Sequence, residues 1–214
     1  MPITRIKTWS TGETLTASDL NDEIDNITDQ VLLDATQSDV NTMTSTTTCL
    51  TPFHNKLVIG SETGTNSGTT KDFTGIPSGV RRITIMFNGV STSGTSDLMI
   101  QLGDSGGFET SGYLGSVASI TGTSATSSTF TTGFVLNDTT AAASIMHGSV
   151  TLTLEDATDF TWVCSGVTSL SNTAQVNMVA GIKPLSAELS SVRLTTVGGA
   201  DTLDAGSFNI IYER

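Results

Sequence analysis

From residue 57 onward the chain consists of short apolar runs separated by turn signals, with no helix-length amphipathic stretch between them. The runs are rich in Val, Ile, Thr and aromatic residues, which favour strands. Folds built on a parallel sheet need crossover helices, so Rossmann and α/β-barrel folds are excluded. The pattern predicts a mainly β fold with an antiparallel, jelly-roll-like β-sandwich body. The predicted strands are Leu57–Ile59, Arg81–Asn88, Leu98–Leu102, Phe130–Val135, Ser149–Leu154, Thr161–Gly166, Gln175–Ile182, Ser191–Val197 and Ser207–Tyr212.

Turns are predicted where Gly, Pro, Asn and Asp cluster between these strands. The stretch Ser116–Thr132 is almost entirely Ser, Thr, Gly and Ala, and it fits either an exposed loop or a flat edge strand. The predicted turns are Ile76–Gly79, Asn88-Gly89, Asp104–Gly107, Leu136–Asp138, Gly198-Gly199 and Asp204–Gly206.

The charge balance narrows the range of partners. The formal net charge is −12, with nine Lys and Arg against 21 Asp and Glu. A nucleic-acid binder needs a basic face that replaces phosphate counterions, and an anionic membrane surface demands the same. We therefore expect neither nucleic acid nor membrane as a partner. The first residues have no signal-peptide core, and no run approaches the roughly 20 apolar residues that span a bilayer, so we expect synthesis in a cytoplasm without general secretion.

Residues 1–50 differ from the body (51–214) and predict a short helix followed by a linker. Thr16 is placed to cap the helix, with Asp19 three residues later and Leu15 and Leu20 at the hydrophobic-staple positions. The segment Asp39–Thr51 is polar and Thr-rich, as is typical of a linker.

The apolar residues of this helix form a single stripe with 4-3-4 spacing: Leu20, Ile24, Ile27 and Val31. Two heptads are too short for a stable free coiled coil. We therefore expect the stripe to pack against symmetry mates or a docking partner; the alternative is that it packs against the chain's own body. Ile6 and Trp9 lie just ahead of the cap and suit an anchor in a groove. The candidate docking interface is Ile6, Trp9, Leu15, Leu20, Ile24, Ile27 and Val31.

The sequence contains only weak motifs for catalysis or metal binding. The string Gly103–Gly107 matches the nucleophile region of chymotrypsin-like proteases, but such an enzyme needs a His base held between two barrels. His54 is too close upstream for a barrel to intervene, and His147 lies downstream. A Gly-rich turn at Ser105 is the simpler interpretation. No catalytic residue, cofactor or metal site is predicted.

The two cysteines are separated by most of the chain. Cys164 lies in the apolar run Thr161–Cys164, which predicts a buried free thiol. A disulfide with Cys49 is the alternative, although no spacing argument supports it.

Two parts of the sequence resemble tailed-phage proteins. The run from Thr8 to Ile27, centred on Gly-Glu-Thr-Leu-Thr-Ala-Ser-Asp-Leu-Asn at residues 12–21, resembles the opening of many phage appendage proteins, where it is an attachment arm. The body is similar to a theme of phage fibre and tail-associated proteins at Thr74–Phe87, Gly89–Ser96, Gln101–Gly103 and Asp204–Glu213.

The resemblance implies a non-enzymatic structural protein of the virion, assembled in the host cytoplasm. It implies a fibre or spike subunit, a homotrimer, docked through its N-terminal arm to virion proteins of the tail, connector or capsid. The alternatives are a tip that binds a host receptor or surface glycan, and a capsid decoration or cement protein.

Overall fold

The computed structural model describes residues 11, 12, 14, 16–18, 21, 57–138 and 141–214. The chain divides into two units, Met1–Lys56 and Leu57–Arg214. In the first unit Ala17, Ser18 and Asn21 are helical, and the helix begins directly after Thr16, where the cap is predicted. The candidate docking residues lie outside the described residues, as does the Asp39–Thr51 linker: Ile6, Trp9, Leu15, Leu20, Ile24, Ile27 and Val31.

The second unit is built from antiparallel strands, which confirms the predicted mainly β, sandwich-like fold class. In several strands apolar side chains alternate with polar ones, so that one face of the strand is buried, whereas both faces of Leu98–Asp104 are buried. In the described part the strands are β1 (Leu57–Ile59), β2 (Thr63–Gly64), β3 (Lys71–Thr74), β4 (Arg82–Thr92), β5 (Leu98–Asp104), β6 (Gly107–Phe108), β7 (Leu114–Thr121), β8 (Ser124–Phe130), β9 (Phe134–Val135), β10 (Met146–Asp156), β11 (Thr161–Leu170), β12 (Gln175–Pro184), β13 (Ser191–Thr196) and β14 (Leu203–Glu213).

The strands form two sheets. The large sheet has the order β1-β14-β4-β10-β11-β12-β7-β8, with β2 also paired to β14. The small sheet has the order β3-β13-β5-β6, with β9 also paired to β5. Side chains from both sheets meet in one apolar core, with Ile85 and Leu152 from the large sheet and Ile100 and Leu194 from the small one. Aromatic rings extend this core, and Tyr113 packs edge-on against Phe134 at a centroid distance of 5.0 Å.

Two predicted turns, at Asn88-Gly89 and Asp204–Gly206, were wrong, because both segments lie inside long strands. Gly89 (φ +68°) and Gly206 (φ +84°) face each other in β4 and β14, where the pairing register shifts on both sides of Ala205. A glycine with positive φ forms either a turn or a β-bulge. Here the bulges bend the sheet, and the chain continues in the same direction.

The predicted single strand Phe130–Val135 was also wrong. Strand β8 ends at Phe130 in the large sheet, and β9 begins at Phe134 in the small sheet. Gly133 lies at the crossing, where an added Cβ would come within 2.8 Å of Met99 Sδ and 2.9 Å of Ile100 O. The backbone at Gly133 approaches β5 so closely that glycine is required there. The pairing of β8 with β7 has already ended, at Phe130.

The Ser/Thr-rich stretch Ser116–Thr132 is largely a hairpin. Its two strands, β7 and β8, are paired without a break. The first pair is Gly115 with Phe130, and the last is Thr121 with Ser124. Strand β8 is the edge of the large sheet, which agrees with the edge-strand alternative. The strands β2, β3 and β6 are two to four residues long and were missed, because such short segments show no periodicity.

Candidate assembly surface

The outward face of β7, β11 and β12 is apolar and exposed to solvent. We call this face the apolar sheet face. Six of its side chains are between 39% and 60% exposed: Leu114, Ile120, Val167, Val176, Met178 and Ile182. Paired residues form four rows across it: Leu114–Ile182–Val163, Ser116–Ala180–Ser165, Ala118–Met178–Val167 and Ile120–Val176–Ser169. Serine residues occupy both ends of the second row. Large exposed apolar patches are typical of interaction surfaces, which makes this face a candidate site.

The apolar sheet face carries no charge among the described residues. Outward positions on β7, β8, β11 and β12 are filled by apolar, Ser, Thr and Gly residues alone. The pairings β11–β12, β12–β7 and β7–β8 also contain no register shift, whereas the β4–β10–β14 half of the sheet contains several. The result is a regular, uncharged surface on a strongly acidic chain.

Strand β12 has the opposite polarity from that expected of a half-buried strand. Its apolar residues Val176, Met178 and Ile182 point outward, whereas Gln175 and Asn177 are buried, at 4% and 1% exposure. A shift of one residue in register would exchange the two faces, so the observed register must be stabilised from the inside.

That stabilisation comes from a closed network of buried polar groups. Asn177 Oδ1 accepts hydrogen bonds from Ser119 Oγ (2.5 Å) and Gln175 Nε2 (2.8 Å), while Asn177 Nδ2 donates to Thr168 Oγ1 (3.1 Å). Thr168 Oγ1 donates onward to the carbonyl of Leu136 at 2.8 Å. Because every buried group in this chain of bonds has a partner, the hydrogen bonds offset the cost of burying these polar groups and fix the register.

The Ser105 turn has a structural role that its sequence did not reveal. Asp104 Oδ2 accepts from Ser186 Oγ (2.6 Å) and from Ala187 N (2.9 Å), and Oδ1 accepts from Gly106 N (2.7 Å). The Ser186 hydroxyl is the main cause that holds the pKa of Asp104 below its ordinary value. Ser105 is exposed at the tip of the turn, which confirms the turn prediction.

His147, the histidine in the described residues, lies on β10 of the large sheet. Its Nδ1 accepts a hydrogen bond from Gly89 N at 3.2 Å. This contact stabilises the bulge in β4 and occupies one ring nitrogen of His147. His54 lies outside the described residues.

A buried ion pair stabilises the loop that contains Ser186, to which Asp104 is also bonded. Lys183 is 4% exposed, and its Nζ forms an ion pair with Glu109 and donates to the carbonyl of Pro184 at 2.7 Å. Glu109 Oε1 accepts from Ser186 N at 2.8 Å, and the Tyr113 ring lies 5.4 Å from the ammonium. These bonds connect the loop after β6 to the loop after β12.

Cys164 and Trp162 both belong to the core. Cys164 is free and buried, which is the predicted state and not the alternative of a bridge to Cys49. Burial raises the pKa of its thiol to about 12, so the reactive thiolate is disfavoured. Trp162 is 2% exposed and lines a recess of about 140 Å³ beside Leu154 and Phe160. This volume is smaller than that of typical ligand pockets.

Among the described residues, no group of three or more His, Cys, Asp and Glu side chains is arranged to hold a metal ion. The same part of the chain contains no helix with the length and hydropathy needed to cross a membrane. No protein-family model and no curated protein sequence matches this chain.

The candidate docking residues of the arm and the apolar sheet face are different surfaces. The docking role of the arm residues was predicted from the helical stripe, from the staple position of Leu15 and from the location of Ile6 and Trp9 ahead of the cap. This role stays a prediction. The apolar sheet face was missed, although part of its signal is visible in Gln175–Met178, where polar and apolar residues alternate without indicating which set is buried.

Proposed function

We propose that this protein is a non-enzymatic structural subunit of a tailed-phage particle, a fibre or spike component that docks through its N-terminal arm. The proposal rests most on the motif at residues 12–21, in which the helix begins directly after Thr16. In the phage appendage proteins that this opening resembles, an acidic amphipathic helix follows the motif. The sandwich body is then the part that projects from the particle.

The chemistry of the body supports a structural role. Three acidic side chains of the body are engaged in bonds that hold its loops and turns. Asp104 and Glu109 bind the loop after β12, and Asp156 Oδ1 accepts from Thr158 N at 2.6 Å within its own turn. Each of these carboxylates therefore already holds a loop or turn of the fold.

The attachment role of the N-terminal arm is tested by combining Trp9→Ala with Ile24→Asp in the full chain. Removing the aromatic anchor and placing a charge in the Leu20/Ile24/Ile27/Val31 stripe should reduce incorporation into particles about tenfold or more. The thermal melt of the body should change little, because neither residue contributes to the sandwich in this proposal. Incorporation is measured by quantitative mass spectrometry of purified particles.

The matched control for this experiment is Asn26→Asp, which adds the same charge on the side of the predicted helix opposite the stripe. It should be incorporated like the unmodified chain. Deleting residues 1–35 should leave a soluble, β-rich body that melts cooperatively. The attachment role is refuted if the double variant assembles at normal copy number or if the truncated body is unfolded.

A further inference from the structure

The polarity of β12 requires an explanation that the isolated body does not supply. Its inward face is polar and hydrogen-bonded through Gln175 and Asn177, so its outward Val176, Met178 and Ile182 have no place in the core. Both faces of this strand therefore have the chemistry of buried surfaces. A strand buried on both faces is normally covered by a second layer.

We propose that this second layer is another copy of the same chain, packed on the apolar sheet face. The inference goes beyond the virion role and does not depend on it, because it concerns the association of the purified chain. The surface is formed by outward residues of β7, β11 and β12: Leu114, Ala118, Ile120, Val163, Val167, Val176, Met178, Ala180 and Ile182.

The charge distribution favours a copy of this chain as the partner. Two chains of net charge −12 repel each other wherever their carboxylates meet. The outward positions of β7, β8, β11 and β12 contain no carboxylate, so this is the face on which two copies approach without that repulsion. The face equally lacks the Lys and Arg that would select an acidic partner.

The dimensions of the surface are sufficient. With the polar edge strand β8 included, four strands about 4.8 Å apart, each about eight residues long at 3.3 Å per residue, cover roughly 500 Å². Two such faces in contact remove roughly 1,000 Å², which reaches the lower limit for a specific interface. The central rows supply branched side chains and Met178, and the Ser and Thr residues of β8 form a polar rim.

The first test is the mass of the full chain in solution, measured by light scattering during size exclusion. The unmodified chain should elute with a mass of two or more times 22.2 kDa, and three times for the predicted homotrimer. The double variant Met178→Glu, Leu114→Glu should shift to the monomer mass, because it places carboxylates in the interface. A monomeric unmodified chain at micromolar concentration, or a double variant with unchanged mass, overturns the proposal.

The matched control is Val197→Glu, which introduces the same charge at a side chain of similar exposure, 48% against 47% for Met178. Val197 follows β13 in the small sheet, away from the apolar sheet face. Its variant should keep the mass of the unmodified chain. Loss of association in this variant as well would mean that added charge, and not the apolar sheet face, decides the mass, which overturns the assignment.

A second measurement needs no substitution. Met178 is 47% exposed in the single chain, whereas Met146 is fully buried and serves as an internal standard for peroxide oxidation. At concentrations where copies associate, Met178 should oxidise as slowly as Met146, and dilution to the monomer should speed it by about tenfold or more. Rapid oxidation at every concentration, or protection that survives dilution to the monomer, excludes a second copy as the cover.

Discussion

Replacing Glu109 with glutamine should lower the free energy of unfolding by about 3 kcal/mol, because it leaves a buried ammonium group without its counter-charge. The Lys183 side chain is 5% exposed and that of Glu109 is 24% exposed, so solvent cannot replace the lost carboxylate. Glutamine keeps the oxygen that accepts from Ser186 N, and its Nε2 then faces the Lys183 ammonium, so the ion pair is lost together with the hydrogen bond within it. Urea denaturation of both proteins measures the difference.

Two further variants decide whether the buried charge is responsible. Adding Lys183→Met to Glu109→Gln should restore most of the lost stability, since the uncompensated charge is removed along with its partner. The exposed pair Arg82–Glu213, at 3.6 Å with side chains 55% and 36% exposed, is the matched control. Glu213→Gln should cost less than about 0.5 kcal/mol. Equal losses for Glu109→Gln and Glu213→Gln would contradict this explanation.

Gly206→Ala should destabilise the body by about 3 kcal/mol or more, for two separate reasons. The position has φ +84°, where a side chain is strained. In addition, its Cβ would overlap the backbone of Gly89 and come within 2.6 Å of Val90 N. Relief of this overlap would require β4 and β14, two neighbouring strands of the large sheet, to move apart.

Gly79→Ala separates the two causes. Gly79 also has φ +84°, but no atom lies within 4 Å of the position its Cβ would take. The free energy of unfolding of this variant should therefore fall only by the cost of backbone strain at positive φ, about 1 kcal/mol. If both glycine variants lose the same stability in urea denaturation, the contact between the two bulges does not contribute to the fold.

The strands that carry long apolar or alternating runs could be predicted from the sequence, because periodicity is a local property. Gln175–Ile182 and Ser191–Val197 agree with β12 and β13 to within two residues. Glycines with positive φ were ambiguous, since the same dihedral angles serve a turn and a bulge. Whether Gly89 and Gly206 reverse the chain depends on strands that are distant in sequence, and local patterns do not contain that information.

The apolar sheet face likewise could not be predicted from local sequence patterns. Alternation in β12 indicates that Val176 and Met178 share one face and that Gln175 and Asn177 share the other. Which face is buried depends on Ser119 and Thr168, which come from other strands and complete the polar network. The role of Asp104 was likewise hidden, because its partners Ser186 and Ala187 lie about eighty residues away along the chain.

The most direct test of the proposed virion role is to locate this chain by electron cryo-microscopy of intact particles of a tailed phage whose genome carries its sequence. We predict projecting density at the tail, neck or capsid into which copies of the two-sheet body fit, in contact with one another through the outward face of β7, β11 and β12. Purified, infectious particles in which neither the density nor the chain's peptides are found would contradict it.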